Sequence, residues 1–481
     1  MMLMPTIAAP PRFRDARSEQ QQQWERQLQP QRQQRPPPPQ QQQHGPAAQW
    51  CPPRIAVRSP VVRGRLPACL DGTFVRIGPG DARSGQLSGP LSGDPVVAGL
   101  RLRGGRAEWF VSRPVQTDRV SRALGELPAP GPRRGLSDEA NAGLIRHAGR
   151  LLALGDAGVL PYELGPDLST RARHDFDGTL PLGFSAHPEH DPVTGELFAV
   201  AYYHEAPYVQ HIIVGVDGHV RRAETISVKN TPMMHAYSLT EHYAVLYDLP
   251  VTFNPAAAAA GLRIPYAWDD SHGARLGILP REGGDADIRW IEIEPCYVFH
   301  AMNAFERPDG RIVLDVARHE RAFDRDPVRP GEAPPALWRW TVDLDEYSVA
   351  EEQIDDRVQE HPVVDFRYKG REHRYGFTAS ASRTERPYGG SALFAHDFVA
   401  GRTETHDFGP GCEVGDPVFV PRAPDAPEGD GWVMAYVRDV RQGVVRFVLL
   451  DTADFTGPAT AVVELPAAGP RGFHSAWIVD A

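Results

Sequence analysis

Apolar and polar positions alternate along most of this chain in short runs broken by turn residues, the period-two pattern of strands with one face in a core. The segment YVQHIIVGVDGHVRRAETISV predicts a hairpin, with Asp217-Gly218 as a two-residue turn between extended runs. The same punctuation recurs in DPVTG before ELFAVAYY, RPDG before RIVLDVARHE and EGDG before WVMAYVRDV. Further strands are predicted over ALWRWTVDLD, SALFAHDFV, VRFVLLDTA and TAVVELP. Helical periodicity is sparse, and FNPAAAAAGL over 253–262 is the best candidate.

Many short strands without strand–helix alternation predict an all-β architecture. Residues 51–481 read as a single domain, too long for an ordinary sandwich. A β-propeller of about seven four-stranded blades fits that length, although no blade signature of the WD or kelch type is present. Residues 1–50 stand apart. QQQWERQLQPQRQQRPPPPQQQQHG has almost no apolar periodicity, so this Gln/Pro-rich tail is expected to be disordered.

Composition narrows the function classes. Among 481 residues, 41% are hydrophobic, enough for a large core, and the net charge of -11 argues against a general nucleic-acid binder. Cys51, Cys69, Cys296 and Cys412 are scattered and form no CxxC pair, which makes a reducing cytoplasm the expected setting. No apolar run is long enough to span a bilayer. The Arg-bearing, acid-poor start leaves a transit-type peptide open.

Four of the 18 histidines share one context. His187, His235, His300 and His474 each follow an apolar residue (Ala186, Met234, Phe299 and Phe473), sit in an apolar run and stand at the mouth of a β-like segment. Successive gaps of 48, 65 and 174 residues correspond to about one, one and three propeller blades. Residues that start the innermost strands of different blades all point at the axis, so four imidazoles could ligate one transition-metal ion there. A single histidine is ordinarily a surface or core residue; the shared context singles these out. His190, His204, His211, His219 and His242 have polar or turn neighbours and read as solvated.

GFSAHPEHDPVTGELFAVAYY, HAYSLTEHYAVLYDLPVTF, CYVFHAMNAFE and GFHSAWI together resemble the four histidine motifs of the carotenoid cleavage oxygenases. That family also includes stilbene-cleaving dioxygenases and the retinoid isomerase of the pigment epithelium. The resemblance runs from about residue 54 to the end and extends to GTFVRIGPG, NAGLIRHAGRLLALGDAGVLPYEL, HPVVDFRYKGREHRYGF and VGDPVFVPR.

The resemblance implies a seven-bladed propeller with one Fe(II) on its axis and a dome of loops and short helices over it. It also implies O2 as co-substrate and cleavage of one C=C bond of an apolar polyene into two carbonyl products. The family places glutamates behind the metal ligands. The matching positions here are Asp156, Glu360 and Asp416, of which only Glu360 keeps the family residue. Each aspartate is about 1.5 Å shorter in reach, so the backbone must move in, a water must bridge, or the contact is lost. Glu163 and Glu413 are nearby substitutes in sequence. The family's RNGPNP-like segment reads Arg76-Ile77-Gly78-Pro79-Gly80-Asp81, lacking both asparagines. Gly155 stands where the stilbene-cleaving branch has a lysine, which tilts the expectation toward an apocarotenoid-like substrate.

Phe184, Met233, Met234, Phe299, Phe377 and Phe473 are candidates for the lining of an apolar tunnel; plain core is their other reading. A tunnel that takes such substrates predicts peripheral membrane contact, with FNPAAAAAGLRIPYAW over 253–268 as the candidate surface. Stilbene-type cleavage, a non-cleaving isomerase and an apolar-ligand-binding propeller are the competing readings. A structural zinc site fits poorly, because the cysteines lack the spacing. His474 lies so near the end that its segment must be tied down as a strand if it is a ligand.

Overall fold

A computed structural model describes residues 54–80, 93–134, 138–204, 206–326, 333–382, 389–466 and 474–479. The tail 1–50 and Phe473 lie outside the described residues, as does Asp81. The described residues form seven sheets of four to six strands, plus a two-stranded ribbon. All strand pairings are antiparallel meanders, and the sheets follow one another in chain order as the blades of a propeller.

Both chain ends of the propeller close the ring. In the first blade, Gly72–Pro79 pairs on its inner side with His474–Val479, the last described strand, in the register Ile77↔His474. In the seventh blade, Ala461–Leu465 pairs on its outer side with the early strand Val62–Gly64. His474–Val479 is therefore held as the innermost strand of its sheet, and two ladders join early strands to late ones.

Burial along each blade explains the sequence pattern. In the fifth blade the second strand, Ile312–His319, is buried almost throughout, because both of its faces pack on neighbouring sheets. The outer strand of that blade, Ser348–Asp355 (SVAEEQID), is polar and half exposed. Its charges blunt an edge that would otherwise invite pairing with another chain. The largest continuous core runs through the third, fourth and fifth blades, around Tyr247, Leu276, Leu314 and Trp340.

The hairpin at Asp217-Gly218 differs from the two-residue turn expected. Tyr208–Val214 pairs with Val220–Ser227, but Gly215 also donates its N–H to His219 O at 2.9 Å, leaving a three-residue loop. Gly218 sits at φ 81°, and Asp217 Oδ1 accepts from His219 N at 3.1 Å. The left-handed glycine at the third loop position favours this longer turn. The helix near 253–262 is present but short, Pro255–Ala259, capped by Asn254 accepting from Ala257 N. A second helix, Asp118–Leu124, escaped the pattern reading although Thr117 caps it and Gly125 ends it at φ 67°. No helix among the described residues is long and apolar enough to cross a membrane.

Candidate metal centre

The blade architecture delivers the four histidines to one place. His187 lies just before Glu189–His190, the first strand of the third blade. His235 lies just before Tyr237–Leu239 of the fourth, and His300 lies within Tyr297–Glu306 of the fifth. His474 opens the inner strand of the first blade, three sheets further round. Irregular ladders aim these residues: the register of Tyr297–Glu306 shifts between Val298 and Ala301, next to His300.

One ring nitrogen from each histidine lies within 4.8 Å of those of the other three. The ring centroids of His187 are 4.3 Å from His235, 4.6 Å from His474 and 5.4 Å from His300. Nε2 of His300 and Nε2 of His474 are 3.2 Å apart. Burial holds His187 and His474 well below the ordinary imidazole pKa, reinforced by the neighbouring imidazoles, so both rings present lone pairs instead of charges. Nε2 of His187 is buried and hydrogen-bonds to nothing. A buried ring nitrogen without a partner is costly in a protein core, and a shared cation satisfies it. Four imidazole nitrogen donors with neither a carboxylate nor a thiolate among them fit iron, copper, nickel or zinc as donor types.

Carboxylates stand behind the rings. His300 Nδ1 donates to Glu360 Oε2 at 2.7 Å, and the other oxygen of Glu360 lies 3.2 Å from His319 Nε2. Burial pushes the Glu360 carboxyl up, but the His300 and His319 contacts hold it well below the usual carboxylate range. A bulge between Glu360 and Val363, with His361 at φ 53°, turns this carboxylate toward the axis. His235 Nδ1 lies 2.7 Å from Asp156 Oδ2, so the shorter side chain still makes direct contact. Asp416 behaves differently. It lies 3.9 Å from His474 Nδ1 and accepts instead from Ser475, at 2.6 Å from the backbone N–H and 2.8 Å from the hydroxyl. Burial raises the Asp416 carboxyl, partly offset by the Arg76 cation and the two Ser475 bonds. Glu163 and Glu413 do not substitute: Glu163 pairs with Arg150 and Arg171, and Glu413 faces Arg438 at 3.9 Å.

A cavity of about 110 Å³ opens beside His235, His300 and His474. Of the expected tunnel residues, Phe299 and Met233 line it. Phe184, Met234 and Phe377 do not: Phe184 packs on Phe176, Met234 is fully buried in the largest core, and Phe377 stacks on Phe419 between the sixth and seventh blades. They are apolar because they fill the spaces between sheets. The remaining wall is partly polar, with Glu139, Asn141, His204 and Arg263 among the lining residues.

Three histidines read as solvated are not. His190 has a buried Nδ1 and sets its ring against His147 and Phe366. His211 is fully buried and meets Arg281 O at 2.9 Å, and His204 meets Tyr266 Oη at 2.9 Å on the cavity wall. His361, which the sequence did not single out, lies with its ring centroid 5.0 Å from that of His300, tilted by 36°, and burial pushes it down to about 3. Its only signal was adjacency to Glu360.

The sequence profile of the retinal pigment epithelial membrane protein family matches residues 47–479. A carotenoid cleavage oxygenase of Mycobacterium tuberculosis is 39% identical over 468 residues, covering 86% of this chain and 93% of that protein. An isoeugenol monooxygenase of Pseudomonas nitroreducens is 30% identical over 451 residues, covering 87% of this chain and 94% of that protein. Among solved structures, a lignostilbene dioxygenase of Pseudomonas brassicacearum superimposes with a TM-score of 0.80 at 27% identity, covering 93% of this chain and 100% of that one. A variant of the Synechocystis apocarotenoid oxygenase superimposes with a TM-score of 0.77, also at 27% identity, covering 89% and 97%.

Proposed function

Since this chain belongs to the carotenoid oxygenase family, we propose that it cleaves a C=C bond of an apolar, apocarotenoid-like polyene with O2, using one Fe(II) held by His187, His235, His300 and His474. One observation carries the reading: four imidazoles converge within 4.8 Å, and the buried Nε2 of His187 has no hydrogen bond of its own. When bound, the iron would supply activation of dioxygen, and the overall change converts one C=C and one O2 into two C=O groups.

The residues present set up that chemistry. Asp156 and Glu360 occupy the Nδ1 atoms of His235 and His300, which fixes both tautomers and turns the Nε2 lone pairs inward. His187 and His474 stay neutral for the same purpose. Phe299, Phe323, Met233 and Ile264 give the cavity apolar walls that favour a hydrocarbon over water and hold its double bond beside the histidines. The segment 253–268 borders this cavity through Ile264 and Tyr266, which supports a peripheral membrane contact at its mouth for lipid-borne substrates.

A second reading draws on size. The cavity, about 110 Å³, is smaller than the roughly 150 Å³ of an engineered protein cavity that binds benzene. Any substrate larger than benzene must therefore extend through the mouth, and a compact aryl alkene does so by far less than a long polyene. The test is aerobic incubation of iron-loaded protein with a panel of apocarotenals, stilbenes and phenylpropenes, with product analysis under labelled O2. Two carbonyl products from one panel member, with stoichiometric iron, are expected. Iron-loaded protein that gives no carbonyl product from any of them would overturn the reading.

A further inference from the structure

The cavity holds a feature that iron chemistry does not use. Arg263 and Glu139 form an ion pair of 2.9 Å, and both line the cavity that contains His235, His300 and His474. Arg263 comes from the loop after Pro255–Ala259, and Glu139 from the segment before the second blade, so the two reach the wall from separate parts of the chain. Burial pushes the Glu139 carboxyl up, with Arg263 and Arg119 opposing, so the acid is costly to keep in this wall. Asn141, also on the wall, is tied to Gly93 O at 3.3 Å. The two side chains are about a quarter exposed, 24% and 29%, so they present polar atoms to the cavity, and a site meant only for hydrocarbon gains nothing from that.

We infer that the Arg263–Glu139 pair is a specificity device that binds the neutral oxygen-bearing end of the substrate, a hydroxyl or a carbonyl, while the apolar wall holds the rest. The inference rests on the cleavage reading for the identity of the cavity. The chemistry selects the end group. Guanidinium has five N–H donors in a planar fork, so it can donate to a ligand oxygen as well as to Glu139. A carboxylate oxygen of Glu139 can accept the proton of a hydroxyl. The pair has no net charge, so a neutral oxygen is received without leaving a charge uncompensated. A ligand carboxylate would face Glu139 and is disfavoured. An oxygen-free end offers nothing to the Arg263 fork or to Glu139 in place of the water it displaces from them, which is how a polar site rejects the analogue that lacks the group.

The experiment compares retinol, retinal, retinoic acid and the oxygen-free polyene of the same skeleton, alongside a 4-hydroxyphenyl alkene and its parent phenyl alkene. Two readouts are taken on the full chain: kcat/KM for cleavage by iron-loaded protein, and binding followed by quenching of tryptophan fluorescence, which needs no turnover. Wild type is expected to favour alcohol or aldehyde over the oxygen-free analogue by roughly 10- to 100-fold. In Arg263→Met that ratio should collapse toward one. In Glu139→Gln, where the cation is no longer neutralised, the acid should gain relative to the alcohol, a change that a merely structural role would not produce. Arg263→Lys, which keeps the charge but loses the fork, should retain part of the preference.

The compound series that shows the preference tells a polyene alcohol from a phenol. Preference in binding that Arg263→Met abolishes, without cleavage of any compound, upholds the pair and overturns the cleavage reading. Cleavage whose selectivity is the same in wild type, Arg263→Met and Glu139→Gln overturns the pair and leaves cleavage standing.

Discussion

Asp416 grips Ser475 through both carboxylate oxygens, at 2.6 Å from its N–H and 2.8 Å from its hydroxyl, and so stands 3.9 Å from the ring of His474. The short side chain anchors the strand that carries the histidine, not the histidine itself. Asp416→Ala is therefore expected to lower both Tm and iron retention, by about 1–3 kcal/mol in stability for the lost buried bonds. Ser475→Ala removes only the hydroxyl contact and should cost less. Thermal melts paired with iron analysis check the order; equal effects of the two substitutions would place the role of Asp416 elsewhere.

Glu360 accepts from His300 and lies against His319, and it is almost fully buried. Glu360→Gln keeps the shape but removes the charge and leaves a single acceptor oxygen. Iron affinity or turnover should fall by about 10–100-fold, with the fold preserved. Competition with a chelator of known affinity measures it, and circular dichroism checks the fold.

His187 has the one ring nitrogen of the four that is buried without a hydrogen bond. If a cation is its partner, His187→Ala leaves three imidazoles and should reduce bound iron far below one per chain. His474→Ala should do the same, and is cleaner than deleting 474–479, which would also strip the inner strand from the first blade. Elemental analysis after anaerobic loading decides; full iron content in either variant removes that residue from the site.

A Cβ at Gly155 would lie 2.3 Å from Glu139 O. No side chain enters there unless the backbone moves. Gly155→Ala is expected to destabilise by about 1–3 kcal/mol, as overpacking does, and Gly155→Lys by no less. Melting curves test this; a Gly155→Lys protein of unchanged Tm would show that the backbone yields readily and that a lysine is sterically admissible.

His211 is pushed down to about 4 by burial, only partly offset by its bond to Arg281 O. Between its ordinary value of 6.5 and about 4, the unfolded chain binds a proton that the folded chain refuses. The stability it protects is complete above 6.5 and drains away as the pH falls toward 4. His211→Gln should thus lose less Tm than wild type between about pH 7 and about pH 5. Parallel melts at the two pH values give the comparison, and identical slopes would assign the acid sensitivity to other groups.

Local chemistry sufficed for much of this protein. Period-two patterning exposed the strands, because each strand buries alternate residues or both faces between sheets. The four histidines were legible because each lies at or near the start of an inner strand, and a propeller turns each blade-length of sequence into one rotation about a common axis. Glu360 was legible by motif, and Asp156 reached its histidine despite the missing methylene. What no local pattern could decide was the direction of side chains between sheets. Phe184, Met234 and Phe377 have the composition of a tunnel wall yet fill gaps between blades, while Glu139 and Arg263, polar in sequence, face the cavity. His211 and His361 likewise look ordinary until packing buries them. Hydrophobicity is a property of the residue and can be read from the chain. Which surface a residue faces depends on contacts with segments tens to hundreds of positions away, and only the closed ring of sheets brings those into being.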